Sequence, residues 1–421
     1  MPVLVGNNLW FGCRGNGARV GPYAYGGDLF TVLLSTTSGA LGVWKSSDSG
    51  ATWGEVDAAN HPSVPYNASS PSDASYYQLE SYAVDTISSY LYVAYYTGTP
   101  AAPAIRVRRF NMATSAWSTT FTGPSPAAVD LGTVVGPFRP LYIACRGVDD
   151  FVLIYFDIVS SLGVTKWTAY AGGTWTGSGT VSDGGGYSYW PLPIVQGATG
   201  VQIVYNNASL HKLRYRVLDA LNSLSASQII GDGDANTDTF GASYATAGDL
   251  IAPVCRYEIE IERGPEGGPL VDYPEFAGNP TYKAAVINAG NQASFADIDN
   301  LDPVVQRMVW MQDISDYATR IWTSNRNRTS GLWTPASLVI DVTPNRLTDV
   351  FVRAQRVLYG LAGPTYIFCA PSRASAVYTM ELAPSDEGSS LSLACGSPPG
   401  GTVGVPYSHT LLASGGTVPY T

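Results

Sequence analysis

The sequence repeats one pattern seven times: an apolar run of strand length, an interval, and a second apolar run. The first runs begin at residues 29, 91, 151, 201, 251, 304 and 366, about every 50 to 60 residues. Short apolar runs bounded by turn residues are typical of strands, and a regular period of this order indicates a repeat architecture of small sheets. The paired runs are 29–34 with 41–44, 91–96 with 105–110, 151–156 with 164–170, 201–205 with 213–218, 251–261 with 282–287 across a long insertion, 304–311 with 320–323, and 366–369 with 377–382.

Composition favours an all-β chain. Charged residues make up 13% of the sequence, whereas Gly (45), Pro (28) and Tyr (27) are abundant. An average soluble domain has about 25% charged residues. Such a chain has few side chains for salt-bridged helices and many residues for turns between short strands. No segment carries a sustained helical apolar stripe, and no apolar run reaches the ~18 residues of a membrane span. We therefore predict an all-β fold without membrane insertion.

Residues 46–53 read S-S-D-S-G-A-T-W and predict a tight turn between two strands. Asp48 can accept hydrogen bonds from its own loop, Gly50 can adopt a positive φ, and Trp53 can pack its ring as the next strand begins. The octet resembles the Asp box, S-x-D-x-G-x-T-W, a bacterial-neuraminidase-type repeat found on the outer hairpins of β-propellers in sialidases and in many non-enzymatic relatives. The resemblance implies a structural role for its defining residues, Ser46, Asp48, Gly50, Thr52 and Trp53. Degenerate copies that keep a turn and a Trp occur at 111–117, 172–175 and 325–333.

The repeat and the octet together predict a β-propeller over residues 1–384, with seven blades favoured and six as the alternative. Residues 3–11 form a strand-like run without a nearby partner, and the seventh unit ends at Leu382 without an outermost strand. An N-terminal strand lent to the last blade removes free sheet edges. We therefore expect residues 3–11 to pair in one sheet with residues 377–382 and to close the ring.

After Pro384 the composition shifts to Ser, Gly and Pro. The segment contains G-T-V-G-V-P-Y at 401–407 and G-G-T-V-P-Y at 415–420. It resembles the opening of the immunoglobulin-like domains found in large bacterial surface proteins and phage fibres. The resemblance implies a linker and the N-terminal part of an immunoglobulin-like β-sandwich over 385–421, and a native chain that continues beyond Thr421. The alternative is a plain linker over 389–421.

The protein is expected to be located in a virion. Residues 1–25 lack the basic segment and apolar core of a secretory signal peptide. The five cysteines show no metal-ligand spacing, and their odd number disfavours a disulfide framework. A surface-type chain without an export signal is typical of a phage protein released by lysis; a bacterial cell-surface or secreted location is the alternative. The net charge of −10 leaves no basic stripe for nucleic acid.

One loop carries oxygen ligands at alternate positions: Asp232, Asp234, Asn236 and Asp238. It lacks the Gly at the sixth position of a calcium loop and has Ser243 where the bidentate Glu belongs. A solvated loop is therefore favoured over a Ca²⁺ site. No other cofactor is predicted.

Catalysis is not predicted. Sialidases of this fold need an arginine triad, a Tyr nucleophile activated by a Glu, and an Asp acid/base, because charge develops at the anomeric carbon. The family's Arg-Ile-Pro tripeptide ahead of the first box is absent, and F-R-P at 138–140 is a poor counterpart. No catalytic or ligand-binding residue can be assigned.

These observations predict a non-enzymatic structural or host-surface-binding component of a phage particle, such as a tail, fibre or decoration protein. Its expected partners are other virion proteins or a host cell-surface glycan, since Tyr and Trp rings can stack on sugar rings. Homo-oligomerisation is left open. The alternatives are a sialidase-like glycan hydrolase and a bacterial surface adhesin.

Overall fold

The structure is a computed structural model. It describes residues 3–10, 21–35, 37–64, 82–99, 102–126, 141–159, 162–181, 188–195, 200–207, 212–231, 238–243, 258–263, 270–273, 293–299, 305–315, 318–327, 337–342, 349–354, 365–370, 376–382, 392–394 and 412–414. Within these ranges the regular structure is entirely β, as predicted, and no helix is long and apolar enough to cross a membrane.

The described strands form seven antiparallel sheets and one separate two-stranded pair. The chain begins with β1 (Val3–Asn7), and the first sheet contains β2 (Leu9–Trp10), β3 (Tyr23–Tyr25), β4 (Asp28–Ser35), β5 (Leu41–Ser46) and β6 (Gly54–Val56). The second sheet contains β7 (Tyr82–Ile87), β8 (Tyr90–Thr99), β9 (Ala102–Asn111) and β10 (Ala116–Thr122). The third contains β11 (Leu141–Gly147), β12 (Asp150–Val159), β13 (Leu162–Ala171) and β14 (Thr174–Thr180).

The remaining sheets follow in chain order. The fourth contains β15 (Ser188–Val195), β16 (Gly200–Asn207), β17 (Lys212–Asp219) and β18 (Gln228–Gly231), and the fifth contains β19 (Asp238–Ser243), β20 (Glu258–Arg263) and β21 (Leu270–Tyr273). The sixth contains β22 (Ala293–Asp299), β23 (Val305–Ser315), β24 (Ala318–Asn327) and β25 (Ser337–Val342). The seventh joins β26 (Asp349–Ala354), β27 (Thr365–Ala370) and β28 (Ala376–Leu382) to β1, and the separate pair is β29 (Ser392–Ala394) with β30 (Leu412–Ser414).

Six of the seven predicted strand pairs are confirmed. The fifth is wrong, because β20 pairs with β19 on one side and with β21 on the other. The expected partner, 282–287, lies outside the described residues. The sequence G-P-E-G-G-P at 264–269 directly follows β20, and its Gly and Pro content is typical of a turn.

The N-terminal run is shared between two sheets. β1 pairs antiparallel with β28, with Val3 opposite Thr379 and Asn7 opposite Ala376. Leu9 and Trp10 pair instead with β4, so the expected partnership with residues 377–382 holds for β1 and is wrong for β2. Asn8, with a φ of 55°, stands at the change of sheet, and Asn tolerates this left-handed conformation. The number of blades and the closure of the ring remain predictions, as does the immunoglobulin-like assignment of 385–421.

The hydrophobic core lies between successive sheets. Side chains alternate along a strand, so a strand buried on both faces serves two interfaces. In β12, Val152 and Ile154 pack with residues of the fourth sheet, whereas Phe151 and Leu153 pack with residues of the second. The first strands of the later sheets are in contact in chain order, β7 with β11, β11 with β15, β15 with β19, β19 with β22, and β22 with β26.

Candidate functional site

The octet forms the hairpin between β5 and β6, the last two strands of the first sheet. The Asp48 carboxylate accepts hydrogen bonds from the Ser46 hydroxyl (2.7 Å), the Thr52 main-chain N–H (2.8 Å) and the Thr52 hydroxyl (2.6 Å). The Gly50 N–H donates to the Ser46 hydroxyl at 2.8 Å, and the Trp53 indole donates to the Gly50 carbonyl at 3.1 Å. These five hydrogen bonds all stay within the loop.

The hydrogen bonds of the turn also shift the pKa of Asp48. Hydrogen bonds from Thr52, and then from Ser46, lower the pKa of the Asp48 carboxyl to about 2. Gly50 has a φ of 87°, which an L side chain rarely adopts and which glycine supplies without strain. The carboxylate is ionised at neutral pH, and its oxygens accept hydrogen bonds from Ser46 and Thr52 of the same turn.

The degenerate copies occupy the corresponding hairpins of the next two sheets. Asn111 starts the turn between β9 and β10, where its side-chain oxygen accepts the Ala113 N–H at 2.9 Å, and Trp117 packs edge-on against Phe110. In the third sheet, the Trp175 indole donates to the Thr122 carbonyl of the second sheet at 2.8 Å. Most of the copy at 325–333 lies outside the described residues. The recurring Trp thus begins the fourth strand in both described copies.

A polar and aromatic cluster lies at the junction of the second and third sheets. We define this junction cluster as Tyr90, Tyr92, Arg109 and Asp149, with the flanking hydroxyls of Ser118 and Thr119. Asp149 lies in the turn between β11 and β12 with a φ of 55°, which Asp tolerates more readily than most residues. In an antiparallel meander this turn lies at the same end of its sheet as the hairpin between the third and fourth strands.

The Arg109 guanidinium makes hydrogen bonds to three residues and contacts one aromatic ring. One terminal nitrogen, Nη1, donates to both Asp149 carboxylate oxygens, at 2.8 and 2.7 Å. Nε donates to the Ser118 hydroxyl at 3.2 Å, Nη2 donates to the Thr119 hydroxyl at 3.0 Å, and the guanidinium carbon lies 4.7 Å from the centre of the Tyr90 ring. Charge-assisted bonds of this kind fix the position of both partners.

Tyr92 holds Asp149 through two hydrogen bonds. Its hydroxyl donates to the Asp149 carboxylate at 2.7 Å and accepts the Asp149 main-chain N–H at 2.8 Å. Burial raises the pKa of the Tyr92 phenol well above its usual range, so the group remains a neutral donor. The ring packs on Phe121 and Phe151, which continue the aromatic core between the two sheets.

The outer surface of the cluster carries the carboxylate. The Asp149 side chain is 40% exposed and that of Arg109 is 17% exposed. Val148, beside Asp149 in the turn, is 52% exposed, and Ser118 and Thr119 are exposed on β10. The cluster therefore presents an acceptor, hydroxyl groups and apolar surface together, which are groups that bind hydroxylated ligands.

A second polar contact joins the third and fourth sheets. Arg146 pairs with Asp150 at 2.8 Å and donates to the Asn222 side-chain oxygen at 2.9 Å. The Asn222 amide donates in turn to the Thr176 hydroxyl at 3.0 Å. Here again the arginine is the inner member, with its side chain 4% exposed against 37% for Asp150.

The other residues singled out in the sequence do not join these clusters. Asp232, Asp234 and Asn236 lie outside the described residues. Asp238 begins β19, where it lies opposite Arg263 of β20 in the strand register. Among the residues that the structure describes, no group of three or more His, Cys, Asp or Glu side chains could hold a metal ion. Two further arginines, Arg106 and Arg108, donate to separate main-chain carbonyls, those of Ile105 and Asn60.

Comparison with known proteins identifies solved structures of similar fold. No protein-family model matches the chain, and no curated protein matches it. An ulvan lyase from a new family of polysaccharide lyase, bound to GlcA(1-4)Rha3S, has a TM-score of 0.52 at 9% identity and covers 91% of this chain and 96% of its own. A second structure of an ulvan lyase has a TM-score of 0.51 at 10% identity, covering 90% of this chain and 94% of its own. A lectin of Aleuria aurantia has a TM-score of 0.43 at 12% identity, covering 79% of this chain and 99% of its own.

At these identities the likeness shows the fold alone. The class of protein is all-β, built from small antiparallel sheets in a propeller-like arrangement, as the repeat predicted.

Proposed function

We propose that the chain is a non-enzymatic, glycan-binding β-propeller carried on a phage particle as a tail, fibre or decoration protein. In this proposal the seven sheets are seven blades, β1 closes the ring, and residues 385–421 begin an immunoglobulin-like domain. The partners are a host cell-surface glycan and neighbouring virion proteins.

The observation that carries glycan binding is the junction cluster. Sugar sites combine a few fixed polar groups with aromatic or apolar surface. Asp149 is fixed by Arg109 and Tyr92 and keeps a partly exposed carboxylate, while the Thr119 hydroxyl accepts from Arg109 and leaves its hydrogen for a ligand. Acceptor and donor thus stand side by side beside exposed Val148.

The fold is compatible with this role, because the ulvan lyase of similar fold is a polysaccharide-binding enzyme. Four of the described carboxylates are already committed to other groups, which supports binding rather than cleavage at these positions. Asp48 is committed to its loop, and Asp149, Asp150 and Asp157 are each paired with a cation. A glycoside hydrolase needs one carboxyl group as a proton donor and a second as base or nucleophile.

The virion assignment rests on the sequence. The chain combines a propeller-like body with a C-terminal segment that resembles phage-fibre immunoglobulin-like domains. Mass spectrometry of purified particles of the phage that encodes the chain tests this assignment, with the chain expected at stoichiometric abundance.

Binding is tested with the purified protein on a glycan array and on host cells. Thr119→Ala should weaken binding at least tenfold while the melting temperature stays close to that of the wild type, because Thr119 is exposed on β10. Asp48→Ala is the matched control, since its carboxylate bonds only its own loop; it should lower the melting temperature and leave binding unchanged. Release of sugar products during the same incubation would contradict the non-enzymatic role.

A further inference from the structure

The ion pairs at the two junctions share one orientation. Asp149 is more exposed than Arg109, at 40% against 17%, and Asp150 is more exposed than Arg146, at 37% against 4%. Asp219, in the turn that also carries Asn222, is exposed as well. A ligand that approaches this end of the sheets therefore meets carboxylates first, with the arginines beneath them.

The arginines have little capacity left for an anionic ligand. Arg109 already donates to Asp149, Ser118 and Thr119. Arg146 already donates to Asp150 and Asn222. A ligand carboxylate or sulfate would have to displace a bidentate or buried pair, and like charges held close together repel.

An uncharged sugar meets neither obstacle. An ionised carboxylate has about four lone-pair sites, and that of Asp149 uses three of them on Tyr92 and Arg109. A sugar hydroxyl can donate to the remaining site and accept from the Thr119 hydroxyl. The C–H groups of the ring can rest on Val148, which is 52% exposed.

We infer that the junction cluster recognises an uncharged sugar and discriminates against sialylated, uronic and sulfated glycans. This specificity rests on the proposed glycan-binding function and adds its ligand class. The proposed ligand is neutral, whereas the GlcA(1-4)Rha3S bound by the ulvan lyase of similar fold carries acidic groups.

The experiment uses matched glycans that differ only in one acidic group: a neutral oligosaccharide, the same oligosaccharide capped with sialic acid, and its sulfated form. Affinities are measured for the full chain by calorimetry at low and at high salt. The neutral member should bind at least tenfold more tightly at low salt, and the ratio should shrink at high salt, because screening weakens repulsion between exposed charges.

Asp149→Asn keeps an acceptor for Arg109 and removes the outward charge, so it should reduce the preference for the neutral member severalfold. Asp48→Asn removes the same charge from the first sheet and should leave the preference unchanged. An acidic member that binds as tightly as the neutral one at low salt would overturn the inference while binding itself stands. If no member of any set binds, the proposed function fails instead. The low-salt comparison on the wild-type chain can still overturn the inference if Asp149→Asn does not fold.

Discussion

The Tyr82 hydroxyl donates a hydrogen bond of 2.8 Å to the main-chain carbonyl of Val32, across the junction of the first two sheets. Tyr23 makes the converse bond, from the first sheet to the Val84 carbonyl of the second, at 3.0 Å. Both tyrosines are fully buried. The two sheets are thus joined by reciprocal bonds in addition to their shared apolar core.

Tyr82→Phe should therefore destabilise the protein by about 1 kcal/mol, the usual net contribution of a hydrogen bond in a folded protein. Urea unfolding at pH 7 measures the loss. Tyr25→Phe is the control, because Tyr25 lies on β3 and is only partly buried; it should change stability much less. Equal effects of the two changes would show that the Tyr82 bond adds nothing beyond packing.

Asp48→Ala should lower the melting temperature at neutral pH, and the difference from the wild type should depend on pH. A carboxyl whose pKa is lowered on folding stabilises the fold above its unfolded value, near 3.8, and this contribution is lost as the pH falls through about 2. The gap between the two melting curves should therefore narrow from about pH 4 to pH 2. A gap that is constant over this range would assign the effect to the altered turn conformation rather than to the charge.

Gly179→Ala should destabilise the third sheet. An added Cβ would lie 2.6 Å from the indole nitrogen of Trp167, which is buried. Overpacking of this kind costs about 1 to 3 kcal/mol. Gly54→Ala is the control, because nothing lies within 4 Å of its added Cβ. Chemical denaturation of both variants should separate them, and a stable Gly179→Ala protein would mean that the Trp167 ring can move away.

Deletion of residues 1–7 should expose the edge of β28 and cause concentration-dependent association, because unpaired strand edges recruit other strands. Deletion of residues 385–421 is the control and should leave the melting temperature of the remaining chain close to that of the full chain. Light scattering and thermal melts check both outcomes. An N-terminal deletion that stays monomeric and equally stable would contradict the stabilising role of β1.

The hairpins of this fold could be predicted because their signals are local. The run from Leu29 and the run from Leu41 lie close together in sequence, and their residues pair directly. The internal bonding of the octet likewise follows from the residue types of eight consecutive positions. The prediction of the fifth hairpin failed because β21, which follows the Gly- and Pro-rich segment 264–269, was taken for part of an insertion.

The junction cluster could not be predicted, because its members are far apart in the chain. Tyr92 and Asp149 are separated by 57 positions, and Arg109 and Asp149 by 40. Each lies in a strand or turn of ordinary composition, and only the contact between two sheets brings them together. The same holds for Arg146 and Asn222, which are 76 positions apart.

The pairing of β1 with β28 also orders events during synthesis. Val3 leaves the ribosome more than 370 residues before its partner Thr379 is made. The sheets between them can assemble as their hairpins emerge, whereas β1 must wait unpaired until β28 has been translated. Contacts this distant in sequence form slowly. β1 therefore finds its partner later than the strands that follow it, and a chain arrested before β28 would carry β1 without its sheet.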